Sequence, residues 1–91
     1  MTTKRIQYKV EGTVQGVNFR SFTQKQAKSI GVTGFVTNAS DGSVQGEAQG
    51  SEDKIKDFVQ HLNEGPSAAS VSKVHHSDVP TKDGESSFNV Q

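Results

Sequence analysis

The chain contains no cysteine. This absence excludes disulfide bonds, zinc sites built on thiolates and cysteine nucleophiles. A copper chaperone-like domain is excluded as well, because such a domain binds its metal through a CxxC pair. Tryptophan is also missing, and the 91 residues include only two prolines and one tyrosine. The chemistry of this protein must therefore come from other side chains or from the backbone.

Long apolar runs are equally absent. No stretch approaches the roughly 18 consecutive apolar residues that a transmembrane helix needs. The first ten residues, MTTKRIQYKV, lack the apolar segment of a signal peptide. We therefore expect a cytoplasmic protein with no membrane partner.

The formal net charge is zero, but it is unevenly distributed. Residues 1–40 carry six basic side chains and one acidic one, whereas residues 41–91 carry four basic and nine acidic side chains. A basic N-terminal part suits a small anionic ligand, although scattered, solvated charges are an alternative interpretation. There is no run of lysine and arginine such as nucleic-acid binding favours, so no nucleic-acid partner is expected.

What the chain does contain points to one small folded domain, residues 1–91, rich in strands. Leu, Ile, Val and Phe total 20 residues, and 11 of these are valines. Alternating apolar residues predict a first strand, which ends in a loop that begins at Gly12: Ile6, Tyr8 and Val10. Residues at helical spacing then predict a helix that stops before Gly31: Phe19, Phe22, Ala27 and Ile30.

The second half repeats strand and helix signals. Two strands, 32–38 and 44–48, flank an Asp-Gly turn and predict a hairpin. A second helix begins after Ser51 and carries an apolar stripe: Ile55, Phe58, Val59 and Leu62. A strand near 71–76, a polar stretch to Gly84 and a short last strand follow. The order βαββαβ, with one short extra strand, predicts a ferredoxin-like α+β sandwich: an antiparallel sheet with both helices on one face.

The loop between the first strand and the first helix is the main candidate site. Backbone N–H groups just before a helix can converge on an anion, especially where glycine removes side-chain obstruction. Arg20 stands at the helix start, where its planar guanidinium can hold two oxygens of a phosphate. Considered alone, the glycines could serve a tight turn and Arg20 could be solvated. The loop matches neither the Walker A pattern nor GxGxxG.

Residues 12–20, Gly-Thr-Val-Gln-Gly-Val-Asn-Phe-Arg, resemble the first acylphosphatase signature, GxVQGVxFR. Residues 34–44, Gly-Phe-Val-Thr-Asn-Ala-Ser-Asp-Gly-Ser-Val, resemble the second. Two signatures in the right order and spacing make the chain similar to the acylphosphatase family. The absence of the Cys-rich zinc segments that follow this domain in large carbamoyl-transfer proteins favours a free-standing, single-domain member. The resemblance implies a ferredoxin-like fold and the hydrolysis of acyl phosphates without a cofactor. Thr13 and Thr37 depart from the family, where basic residues are frequent.

The resemblance also assigns roles to residues. It implies that Arg20 and the backbone amides of the loop hold the phosphate: Gln15, Gly16, Val17, Asn18, Phe19 and Arg20. Asn38 matches the family residue that orients a water for direct attack on phosphorus. The expected partners are a small acyl phosphate and inorganic phosphate as product and inhibitor. We also expect a monomer that requires no metal.

Other chemistry-bearing residues fit less specific interpretations. His75 and His76 are adjacent and so point to opposite faces of a strand, which is poor geometry for one metal ion. His61 is expected to be solvated, and Asp41 is expected to serve its turn. Ser21 has no His or Asp motif to activate it. Two alternatives stay open: an RNA-binding module, although the RNP1 pattern is missing, and an inactive relative that binds phosphate without turnover.

Overall fold

The computed structural model describes residues 3–91. Its elements follow the predicted order: β1 (Thr3–Thr13), α1 (Phe19–Ile30), β2 (Thr33–Asn38), β3 (Val44–Ser51), α2 (Glu52–Glu64), β4 (Ser70–Val79) and β5 (Phe88–Val90). The predicted fourth strand, near 71–76, is therefore longer at both ends. Within the described part of the chain, no helix is long and apolar enough to cross a lipid bilayer.

The five strands form one sheet in the order β4-β1-β3-β2-β5. Strands β1 to β4 pair antiparallel, as the ferredoxin-like prediction requires, and that fold class is confirmed. The short last strand differs from the prediction in one respect, because β5 pairs parallel to β2 and makes the sheet mixed. The reason is the connection from β4, which crosses from one edge of the sheet to the other before β5 begins.

The core lies between the sheet and the two helices. The predicted alternation in β1 is confirmed, since Ile6, Tyr8 and Val10 are all buried. Tyr8 packs edge-on against Phe58 of α2, with ring centroids 5.4 Å apart, and its hydroxyl donates a hydrogen bond to the carbonyl of Phe35. The apolar stripe of α2 is confirmed as well, with Ile55, Phe58 and Leu62 buried. In α1, by contrast, Thr23 is buried and Phe22 is only partly so.

Strand β1 does not end at Gly12, as the sequence suggested, but continues to Thr13 through a bulge. The pairing with β4 shifts between Glu11 and Gly12. Gly12 has φ +129°, and a Cβ atom there would lie 2.1 Å from the carbonyl oxygen of Ser70. Only glycine fits such a site. The bulge delivers the chain to the loop that precedes α1.

The sheet face opposite the helices is partly covered by the segment 80–87. Arg5 lies on this face, yet the residue is only 2% exposed. Its guanidinium donates to Glu47 from Nε at 2.6 Å and to Glu85 from Nη1 at 2.8 Å. The Arg5 hydrogen bond lowers the pKa of the Glu85 carboxyl. This ion-pair cluster anchors the crossing segment that leads into β5.

Candidate active site

The loop 14–18 connects β1 to α1 and presents unused backbone donors. Gly16 and Asn18 both adopt left-handed conformations, with φ +75° and +62°, which turn the chain sharply before the helix. Within residues 3–91, the N–H groups of residues 15–18 donate to no other group of the protein. The first N–H groups of α1 are also free, because no preceding helical turn supplies their acceptors. This segment can therefore bind an anion through its backbone.

A cavity of about 210 Å³ opens beside this loop. It is lined by residues from the loop, from the first turn of α1 and from the ends of β2 and β5: Val14, Gly16, Asn18, Phe19, Arg20, Ser21, Asn38 and Val90. Arg20 is the one charged residue in this lining, and no carboxylate contributes to it. The cavity is consequently suited to a small anionic group.

Arg20 is held in place by a main-chain contact. It is the second residue of α1, and its Nη1 donates a hydrogen bond of 2.9 Å to the main-chain oxygen of Gln91. No Asp or Glu side chain among residues 3–91 lies within ion-pair distance of its guanidinium. A guanidinium has five N–H donors. The remaining donors are available to a ligand.

Asn38 reaches the cavity from the end of β2, where its backbone pairs with Val44 of β3. The residue is exposed, and its side-chain amide forms no hydrogen bond with the described part of the chain. A primary amide both donates and accepts hydrogen bonds and carries no charge. Asn38 can therefore hold a water molecule in the cavity.

The side chain of Gln15 connects the two halves of the site. Its Nε2 donates to the carbonyl oxygens of Ala39 at 2.7 Å and Ser43 at 3.0 Å. These carbonyls belong to the turn that follows Asn38, so this amide ties the loop to the hairpin. The signature predicts a role only for the backbone N–H of Gln15. No local pattern predicts the side-chain contact, because its partners lie 24 and 28 residues away.

The predicted site residues lie close together, but their side chains point in different directions. Gly16, Asn18, Phe19, Arg20 and Asn38 line the cavity. The two remaining loop residues, Gln15 and Val17, direct their side chains towards the hairpin turn and the core, respectively. Ser21 lines the cavity too, but no histidine or carboxylate lines it to activate the hydroxyl.

A larger concavity, of about 530 Å³, lies on the sheet face opposite the helices. Its lysine is already paired, since Lys9 lies 3.0 Å from Asp41, and the imidazole of His75 contacts the carboxylate of Glu11. Hydrogen bonds from Ser43 and then from Lys9 lower the pKa of the Asp41 carboxyl, which stabilises this ion pair and its turn. The larger surface is thus electrostatically satisfied, and the smaller cavity is the better anion site.

The three histidines do not converge on one site. His75 and His76 occupy successive positions of β4, and His61 lies within 3.7 Å of Asp57 on α2. In the part of the chain that the structure describes, no three His, Asp or Glu side chains lie close enough together to hold a metal ion.

Comparison with known proteins identifies the family. The family model for acylphosphatase matches residues 6–90. The chain is 42% identical to an acylphosphatase of Salinibacter ruber over 96% of this chain and 88% of that protein. It is also 42% identical to the acylphosphatase of Thermotoga maritima, over 97% of both chains. The structure of an acylphosphatase from Coxiella burnetii superposes with a TM-score of 0.92 at 38% identity, covering 98% of this chain and 93% of that one.

The chain belongs to the acylphosphatase family. The resemblance seen in the two signatures is thereby confirmed. Membership supports an enzyme that hydrolyses acyl phosphates, with a small acyl phosphate as substrate.

Proposed function

We propose that the chain hydrolyses acyl phosphates to a carboxylate and inorganic phosphate by direct attack of water on phosphorus. The loop 15–20 and the Arg20 guanidinium hold the phosphate, and Asn38 orients the water. The observation that carries this proposal is the cavity itself. It combines an arginine that pairs with no Asp or Glu side chain of the described residues, a loop with unused N–H donors and a neutral amide.

The leaving group explains why so small a set of residues suffices. An acyl phosphate releases a carboxylate, whose conjugate acid has a pKa near 4. Such a group departs without being protonated, so the site needs no general acid. The cavity lining contains no carboxyl or imidazole that could serve as one. Catalysis then depends on positioning and on electrostatic stabilisation of the transferred phosphoryl group.

Arg20 and the loop amides act on the phosphoryl oxygens. The guanidinium fork binds two oxygens at once, and the backbone N–H groups stabilise the charge on the equatorial oxygens in the transition state. The main-chain oxygen of Gln91 supports this role, because it fixes one guanidinium nitrogen and restricts the orientation of the fork. Phosphate monoesters should be poor substrates, since an alkoxide leaving group requires the acid that the site lacks.

Asn38 acts on the nucleophile. Its amide orients the attacking water without adding a charge that would repel the dianionic substrate. The proton of this water passes to the phosphate of the substrate, so that no protein base is needed. The Gln15 side chain supports the arrangement by holding the hairpin turn against the phosphate loop.

The proposal extends to the conditions of the reaction. We propose that the enzyme requires no metal, because the charge stabilisation a metal would supply comes from Arg20 and the loop amides. Inorganic phosphate, the product, should inhibit competitively by occupying the same donors. A monomer in the cytoplasm, formed by one domain of residues 1–91, stays a prediction.

The decisive experiment measures benzoyl phosphate hydrolysis by the purified protein in EDTA, alongside Arg20→Ala. Lys25→Ala is the matched control, since Lys25 is an exposed base on the same helix. We expect metal-free turnover, almost complete loss in Arg20→Ala and little change in Lys25→Ala. Activity that EDTA abolishes and magnesium restores would disprove metal independence. Equal losses of activity in Arg20→Ala and Lys25→Ala would mean that Arg20 contributes only a general positive charge at the surface.

A further inference from the structure

Val90 is the exposed large hydrophobic residue of the described chain, with 39% of its surface accessible. This exposure is unexpected from the position of Val90 in the sheet. In the parallel pairing of β5 with β2, Val90 stands opposite Val36, which is completely buried on the helix-covered face. Phe88, two residues earlier on the same face, is 1% exposed. Val90 therefore points towards the helices but lacks a cover.

Val90 lacks a cover because it borders the cavity of the candidate active site. Val90 forms part of the same cavity as Arg20 and Asn38. The main-chain oxygen that accepts the Arg20 hydrogen bond belongs to the next residue, Gln91. The valine side chain thus borders the place where the guanidinium acts. A ligand held by Arg20 would meet an apolar wall on this side.

The lining of the cavity decides which part of a ligand meets that wall. The polar groups of the lining, above all the guanidinium of Arg20, suit the phosphoryl group of a ligand. The lining contains three large apolar residues, Val14, Phe19 and Val90, and the first two are almost completely buried. Val90 is therefore the lining residue that offers exposed apolar surface to the acyl group.

We propose that Val90 is the contact surface for the acyl group and favours substrates whose acyl group is apolar. This inference rests on the proposed function. Covering a half-exposed valine with an apolar group is favourable, because it removes apolar surface from water. The substrate class is thus acyl phosphates with an aromatic or branched apolar acyl group, as opposed to acetyl phosphate.

The test compares kcat/KM for benzoyl phosphate and acetyl phosphate in the wild type and in Val90→Thr. Threonine keeps the β-branched shape that suits a strand and replaces one methyl group by a hydroxyl. Both substrates release a carboxylate. The quantity compared is the benzoyl-to-acetyl ratio of kcat/KM, measured in the variant and in the wild type. Differences between the two leaving groups affect both proteins equally and cancel in this comparison. We expect this ratio to fall about three- to tenfold, below the larger effects seen in closed pockets. Val90→Leu should raise it.

Val79→Thr is the matched control. Val79 lies near the end of the opposite edge strand, β4, on the other sheet face and away from the cavity, and its replacement should leave the ratio unchanged. Competitive inhibition by inorganic phosphate should also stay the same in Val90→Thr, because phosphate has no acyl group. An unchanged ratio in active Val90→Thr and Val90→Leu proteins would overturn this inference alone. A wild type that hydrolyses neither substrate would instead overturn the proposed function.

Discussion

The two arginines of the chain occupy contrasting regions. Arg5 lies in a cluster on the open sheet face, where Glu47, Glu85 and Gln49 accept hydrogen bonds from its guanidinium. Arg20 lies beside the loop 14–18, where the main-chain oxygen of Gln91 accepts one hydrogen bond. The same side chain therefore stabilises the fold in one region and keeps donors available for a ligand in the other. The presence or absence of Glu side chains around it, and not the residue type, decides between these roles.

The contrast has an electrostatic cause. A buried guanidinium is costly unless it is paired and hydrogen-bonded, and the segment 80–87 that covers Arg5 supplies the carboxylate of Glu85. Arg20 borders an open cavity without a carboxylate lining, so water can hydrate it until an anion arrives. Substitutions in each region test whether the two regions are independent.

The largest effect is expected from Arg20→Lys. Lysine keeps the positive charge but replaces a two-pronged planar donor with a flexible point charge. We expect kcat/KM for benzoyl phosphate to fall about 10³-fold or more, with loss of both binding and turnover. Circular dichroism and urea unfolding of the same preparation should match the wild type, because the buried side of α1 is unchanged. A folded variant that keeps more than about a third of wild-type kcat/KM, a loss below 1 kcal/mol, would rule out the bidentate role.

A slightly smaller kinetic effect is expected from Asn38→Ala. Removing the group that orients the water should lower kcat by about 10²–10³. The inhibition constant of inorganic phosphate should change less than about twofold, since Arg20 and the loop remain. Asn38→Asp is an informative companion, because it keeps the shape and adds a negative charge. Near-normal kcat in Asn38→Ala would mean that the residue only forms the strand end.

The Arg5 region should respond in stability and not in catalysis. Arg5→Met removes the partner of Glu85 and Glu47, whose side chains are 16% and 34% exposed. Because water reaches these carboxylates in part, we expect the free energy of unfolding to fall by about 2 kcal/mol, below the range for fully buried pairs. This corresponds to a Tm decrease of roughly 10 °C. At a temperature where the variant is folded, kcat/KM should stay within about threefold of wild type.

Lys4→Met is the matched control for Arg5→Met. Lys4 is the neighbouring residue on β1, and its ion pair with Asp78, at 3.4 Å, is largely exposed. Such surface pairs contribute at most about 1 kcal/mol, so urea unfolding should show little change. If Arg5→Met and Lys4→Met were equally stable, the buried cluster would have no special role. If Arg5→Met lost activity while folded, the two regions would be coupled through β5.

The smallest effect concerns pH. The hydrogen bond from Arg5 lowers the pKa of Glu85 from its ordinary value of 4.5. The ionised carboxylate is therefore favoured in the folded state, and this stabilisation is fully present above pH 4.5 and lost as the pH falls through the lowered pKa. Glu85→Gln should be less stable than wild type near pH 7 and should lose less stability on acidification. Urea unfolding at several pH values measures this, and parallel curves for the two proteins would contradict it.

Much of the fold could be predicted because its signals are local. The stripe from Ile55 to Leu62, the cap at Ser51 and the alternation from Ile6 to Val10 each report burial through a simple period. The phosphate loop and Asn38 could be proposed because they stand in two signatures. The bulge at Gly12 was misinterpreted as a strand end, because a glycine in a strand pattern is compatible with either structure.

By itself, the sequence determined the element order and the buried faces of β1 and α2, and it offered the loop before α1 as a candidate anion site. These properties depend on contacts a few residues apart. Only the tertiary structure decided that Arg5 is buried, that Gln15 clamps the hairpin turn and that Val90 is left uncovered at the cavity. Each of these depends on groups that are distant in the chain, such as Glu85 for Arg5. Their meeting is a consequence of chain topology, which periodicity does not encode.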